Sequence, residues 1–210
     1  MENAIVYFQN NGREYFGLLM GHIGISFVSV LAAMVVAVPL GIVCAGRPRL
    51  KSIAEAGFGL LRIVPSLAIL ILLIPIIGTG VKPAVIALVL LAVPPILINT
   101  VQAFLTLPPE MLEASLAMGM NPREQFFKVK LPLAFPLMFA GIRTATVEVI
   151  ASTTIASYIG AGGLGDIIFT GLALLRTDLL FIGGGSVAVL SLLTGYLMDR
   201  YYRYITRWQP

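Results

Sequence analysis

Apolar residues run through this chain in long blocks, and the polar residues sit in short gaps between them. A helix needs about 20 apolar residues to cross a bilayer. The blocks predict an all-α, polytopic chain with spans at about 20–45, 54–77, 84–106, 134–158 and 179–198, in a single domain over 1–210. No Lys, Arg, Asp or Glu occurs over 15–46. The second span holds Arg62, so 50–61 is expected to lie partly in the interface with Arg62 reaching back to it. Pro94 and Pro95 predict a kink or break in the third span. The fourth is the least apolar, with Arg143, Thr144, Thr146, Glu148, Ser152 and Ser157. A glycine-rich connection follows, opened by Gly160, Gly162, Gly163 and Gly165 and long enough for a short re-entrant or interfacial helix.

The longest polar gap, 107–132, reads LPPEMLEASLAMGMNPREQFFKVKLP. Its punctuation predicts two short helices. Pro108 and Pro109 suit the first turn of one, and Gly119 suits its end. Asn121 caps the second, with Pro122 at its first position and Glu124 three residues after the cap. Lys128 and Lys130 fall in its last turn, and Pro132 is expected to start the next element.

Composition fixes the class. The chain is 58% hydrophobic and 11% charged, with a mean hydropathy of +0.95. Soluble domains carry about 25% charged residues, so this is an integral membrane protein. Its net charge of +4 fits basic loops at one membrane face rather than nucleic-acid binding. One cysteine, Cys44, and one histidine, His22, give neither an internal disulfide nor an intramolecular zinc site. The first residues lack a basic stretch, so no cleavable signal peptide is expected.

Charge also orients the chain. With the N-terminus outside and the C-terminus in the cytoplasm, the inner segments hold Arg47, Arg49, Lys51, Arg62, Arg123, Lys128, Lys130, Arg200, Arg203 and Arg207. The outer segments hold only Arg13, Lys82 and Arg176. Positive residues favour the cytoplasmic side, so the 107–132 gap is expected inside and the glycine-rich connection outside.

Within that gap, Glu113, Ala114 and Ser115, then Gly119, then Val129, Lys130, Leu131 and Pro132 resemble the EAA motif of bacterial ABC importer permeases. Ser115 replaces the second Ala of that pattern, and Val129 replaces Ile. The resemblance implies a type I importer fold, in which this loop is a coupling helix seated in a cleft of the ATPase. On this chain it implies that Glu113, Ala114, Ser115, Gly119, Met120, Asn121, Leu131 and Pro132 couple to the ATPase, with 114–128 as the docked segment. Further stretches are similar to the osmoprotectant branch, which takes up glycine betaine, carnitine or choline. They include Val64-Pro65-Ser66-Leu67-Ala68, Pro94-Pro95-Ile96-Leu97-Ile98-Asn99-Thr100 and Ile159-Gly160-Ala161-Gly162-Gly163-Leu164-Gly165-Asp166.

The resemblance implies a non-enzymatic subunit with no cofactor of its own. ATP-Mg would be bound by a dimer of partner ATPase subunits. A second permease, identical or paralogous, and an extracytoplasmic substrate-binding protein complete the expected assembly in the bacterial cytoplasmic membrane. The glycines of 160–165 do not form a phosphate-binding loop, because no Gly-Lys dipeptide occurs anywhere in the chain. They read as a tight bend at the outer gate.

Arg143 and Glu148 are costly inside a membrane and are candidates for function. They point about 140° apart on a helix, which makes a direct pair poor. Thr144, Glu148 and Ser152 share one face, expected to line the path or a dimer interface. Glu148 has two open readings: helping a quaternary ammonium pass, or bonding another helix. Tyr158 and Phe169 lie near the outer end, as aromatic faces for such a cation or as interfacial anchors. Other readings are a permease for methionine or another small solute, a secondary transporter with Glu148 as coupling site, and a purely structural subunit.

Overall fold

The computed structural model describes residues 2–61 and 64–208, and every regular element among them is helical. Four helices are long and apolar enough to cross a membrane: α1 (Glu2–Ala45), α4 (Val81–Leu105), α6 (Pro122–Ile159) and α8 (Thr177–Ile205). Shorter helices lie between them: α2 (Pro48–Leu61), α3 (Ser66–Ile77), α5 (Pro109–Ala117) and α7 (Gly165–Ala173).

The first helix starts well before the apolar block that predicted it. Its polar beginning is helical too, with a kink at Asn11 (φ −120°, ψ 15°). Tertiary packing explains this. Tyr7, Tyr15, Leu18 and Leu19 lie against a cluster of Leu164, Ile167, Leu179 and Ile182. The Tyr15 hydroxyl also meets Ser186 Oγ at 2.7 Å.

The expected span at 54–77 is instead two helices, α2 and the 12-residue α3. Pro65 is extended (φ −59°, ψ 135°), and a proline also drives the residue before it out of the helical region. The expectation for Arg62 falls outside the described residues.

The central helix is α4, packed between α1 and α6. Pro94 and Pro95 do not break it. Both are buried, and the helix runs through them without interruption, held by its neighbours on two sides. Close approach depends on two glycines. A Cβ on Gly41 would lie 2.7 Å from Thr100 Cβ, and one on Gly141 would lie 2.6 Å from Asn99 Cβ. Small residues let helix backbones approach in this way. Thr100 and Asn99 meanwhile satisfy their polar groups on their own helix, donating to Ile96 O (2.7 Å) and Pro95 O (2.8 Å).

A further correction concerns Pro132, which does not start a new element. The predicted second short helix (Pro122–Gln125) continues through a π-helical turn at Phe126–Lys130 into Leu131–Ala156. Proline has no N–H, and its ring crowds the carbonyl four residues back. The wider turn, in which Leu131 N–H bonds Phe126 O, lets the helix absorb it.

Candidate functional site

The predicted coupling residues lie on α5 and on the first turns of α6. Gly119 ends α5 with φ +77°, the left-handed value that side chains resist. Two hydrogen bonds close this end: Met120 N–H to Ser115 O at 3.2 Å and Gly119 N–H to Leu116 O at 2.9 Å. That pair is a Schellman motif. The next helix opens on a full capping box. Glu124 N–H donates to Asn121 Oδ1 at 3.0 Å, and Asn121 N–H donates to Glu124 Oε2 at 3.2 Å.

Ser115 and Gln125 lock the two helices together. Gln125 Nε2 donates to Ser115 Oγ at 2.8 Å and to Leu112 O at 3.1 Å, while Ser115 Oγ donates to Leu112 O at 2.7 Å. Both side chains are buried in a loop that is otherwise mostly exposed. The departure from Ala at 115 therefore supplies the hydroxyl of this lock. Gln125 was missed in the sequence because a single glutamine carries no motif. Its ten-residue offset from Ser115, across two predicted helices, was the only available sign.

On its free side the loop shows apolar residues. Met111, Leu116 and Met118 are 49%, 59% and 75% exposed, and Glu113 and Ala114 are exposed beside them. Phe126 stacks on Phe104 of α4 at 5.9 Å and ties the loop back to the bundle. Leu131 and Pro132 lie farther along α6, past the π turn.

On the membrane part of α6, Arg143 bonds Asp199 of α8 at 2.8 Å. Asp199 stands next to the basic residues Arg200, Arg203 and Arg207 in the sequence, and its pairing depends on α8 folding back beside α6. Thr144, Glu148 and Ser152 grade from exposed through half-buried to buried, so their shared face is not an evenly open strip. Beside Ser152, Thr153 Oγ1 meets Ser26 Oγ of α1 at 2.9 Å. At the outer end Tyr158 is 65% exposed, and its ring centroid is 5.5 Å from that of Phe169.

The glycine bend is built into the bundle. Ser157 Oγ donates to Gly162 O at 2.7 Å, and Gly80 N–H donates to Ile159 O at 2.8 Å. Gly163 has φ +98°, and a Cβ there would meet His22 Nδ1 at 3.1 Å. His22 is wholly buried, with Nε2 2.9 Å from Ile150 O, so Nε2 carries the proton. One buried histidine thus joins α1, α6 and the bend. A Cβ on Gly165 would overlap the Thr154 carbonyl and the Ser157 hydroxyl. Next to it, burial pushes the Asp166 carboxyl above its ordinary value.

This helical arrangement matches a solved transporter. It is similar to a chain of the methionine ABC transporter MetNI in an inward-facing conformation, with a TM-score of 0.82 and 25% identity over 91% of this chain and 96% of that one. The fold is that of a type I ABC importer permease. Residues 37–209 match the family described as "Binding-protein-dependent transport system inner membrane component", and the chain belongs to it. Relatives extend the match over nearly the whole length. The chain is 40% identical to the choline transport system permease protein OpuBB of Bacillus subtilis (strain 168), covering 94% of this chain and 91% of that protein. It is 39% identical to the glycine betaine/carnitine/choline transport system permease protein OpuCB of the same strain, covering 98% and 95%. The protein is a multi-pass membrane subunit of an ABC importer, and its family works with an ATPase and a substrate-binding protein.

Proposed function

We propose that this chain forms the translocation path of an ATP-driven importer for quaternary ammonium osmoprotectants: glycine betaine, carnitine or choline. The observation that carries this reading is the 39–40% identity to permeases named for these solutes, sustained over nine-tenths of both chains. The methionine alternative rests on a structural likeness at 25% identity and is the weaker of the two.

The proposed orientation counts the shorter apolar α3 as the fifth crossing and puts the N-terminus outside and the C-terminus in the cytoplasm, on the ten-to-three bias of basic residues. The 107–132 loop then faces two ATPase subunits. Its exposed Met111 and Leu116, on two sides of α5, and Met118 just past its end offer apolar contacts for a short helix seated in a groove, a standard recognition mode. The Ser115–Gln125 lock and the Gly119 turn keep that helix in shape. The open end of the face, Thr144 and Glu148, lines the path beside a second permease copy or a paralogue, with Ser152 packed behind it and the Arg143–Asp199 pair at its inner half. Tyr158 and the bend of Gly160, Gly162, Gly163 and Gly165 form the outer gate, where a binding protein delivers solute. Closure of the ATPases on ATP moves the loop and opens the path outward, and hydrolysis resets it.

The test is uptake of labelled glycine betaine, carnitine, choline and methionine in a strain lacking other importers. Uptake of a quaternary ammonium solute is expected only with the ATPase subunit present. Transport of methionine alone defeats the substrate assignment. Transport that persists without the ATPase and collapses with an uncoupler defeats the whole reading.

A further inference from the structure

The helix α8 presents one outward face along its whole length. At about 100° per residue, Phe181, Val189 and Leu192 fall on the same side as Tyr196, Arg200 and Arg203. The apolar members are 77%, 64% and 73% exposed. Toward the C-terminal end the character of the face changes. Tyr196, Arg200, Arg203, Tyr204 and Arg207 span an arc of about 100° and line a cleft of about 370 Å³.

All three arginines are exposed, and among the described residues no carboxylate lies within ion-pair distance of them. Asp199 is the only acidic residue after position 178; it lies at the edge of the same face, about 40° round the helix from Arg203, and its carboxylate is taken up by Arg143 of α6 at 2.8 Å. The Arg207 guanidinium instead lies 5.7 Å from the centre of the Tyr204 ring. Among the described residues the stripe is therefore cationic, without a paired carboxylate, and interleaved with tyrosine.

We propose that this stripe is a binding site for the phosphate group of an anionic phospholipid, whose acyl chains run along the apolar part of the same face. Guanidinium forks match phosphate oxygens, and tyrosine rings suit the headgroup level. The continuity of the face favours lipid over an acidic protein surface. Several turns of exposed hydrocarbon lead directly to the arginines, which places them where headgroups begin. The inference needs only that the chain crosses a membrane, and it is independent of the transported solute.

The chain's single tryptophan, Trp208, is adjacent to Arg207 in sequence and serves as a reporter. The full chain is reconstituted in vesicles containing brominated phosphatidylglycerol or brominated phosphatidylcholine, and quenching of Trp208 is followed against lipid fraction. The expected result is a preference of about fivefold or more for phosphatidylglycerol, weakened by salt. Replacing the three arginines together (Arg200→Gln, Arg203→Gln, Arg207→Gln) is expected to bring the preference close to one. The corresponding lysine replacements keep most of it. Equal quenching by both lipids in the unaltered chain overturns the proposal, as does a preference that survives the glutamine replacements. If the glutamine variant loses its ATPase subunit while lipid preference is unchanged, the stripe is a protein contact and the proposal fails. If that variant does not fold, the salt titration of the unaltered chain decides, and a preference insensitive to salt overturns the site.

Discussion

The loop at 107–132 and the bend at 160–165 use the same local devices in opposite surroundings. Each turns on left-handed glycine, Gly119 in the loop and Gly160, Gly162 and Gly163 in the bend, and each has a serine hydroxyl bonded to a backbone carbonyl: Ser115 to Leu112 O and Ser157 to Gly162 O. The loop makes its defining bonds within itself and leaves its apolar side exposed. The bend bonds to the end of α6, packs Gly163 closely against His22 of α1, and is largely buried. Shape at the loop is therefore autonomous, whereas shape at the bend belongs to the bundle. A change in the bend should unsettle the whole protein, and a change in the loop should be felt only by what binds it.

The sharpest way to break this contrast is Gly165→Val. The added side chain overlaps Thr154 and Ser157, and overpacking of this kind costs about 3 kcal/mol. A large fall in thermal stability of the purified permease is expected, and a normal melting curve would refute the rigid bend. Gly119→Val comes next. Forcing a β-branched residue to φ +77° costs about 1–3 kcal/mol locally. Membrane insertion and melting should survive, while ATPase stimulation falls at least about tenfold, the equivalent of about 1.4 kcal/mol. Loss of insertion would show that the loop is not autonomous.

Two smaller changes separate the partners of the lock. Gln125→Ala removes both donors that bridge the helices, at about 1–2 kcal/mol, and should weaken co-purification of the ATPase. Ser115→Ala leaves the bond from Gln125 to Leu112 O in place and should cost under about 1 kcal/mol. If the serine change proves the more damaging, the lock has been assigned to the wrong residue. The smallest effect is expected at Arg143 and Asp199, whose side chains are 43% and 40% exposed. A double-mutant cycle of Arg143→Gln and Asp199→Asn should give a coupling of about 0.5–1 kcal/mol in melting experiments. A coupling of several kcal/mol would mark a site shielded from solvent in the assembled transporter.

The sequence made the helical class and the local punctuation legible, because both are written in neighbouring residues. Asn121 and Glu124 predict their capping box three positions apart, and Gly119 predicts its turn. Features joined by tertiary folding were not legible. Asp199 is 56 residues from Arg143, and His22 is 128 from Ile150. The prolines misled in both directions. Pro65 divides an apolar block that hydropathy alone treats as continuous, while Pro94, Pro95 and Pro132 lie within helices. Their outcome depends on neighbours and on a π turn that no local pattern announces.

That π turn has a mechanical consequence. Because the helix is unbroken at Pro132, 38 residues from Pro122 to Ile159 form one rod, about 57 Å long at 1.5 Å per residue. The lock sits at one end of the rod and the bend at the other. A tilt of about 5° about one end moves the other by about 5 Å, close to one helical turn. The rod is a lever, and its gain comes from length alone.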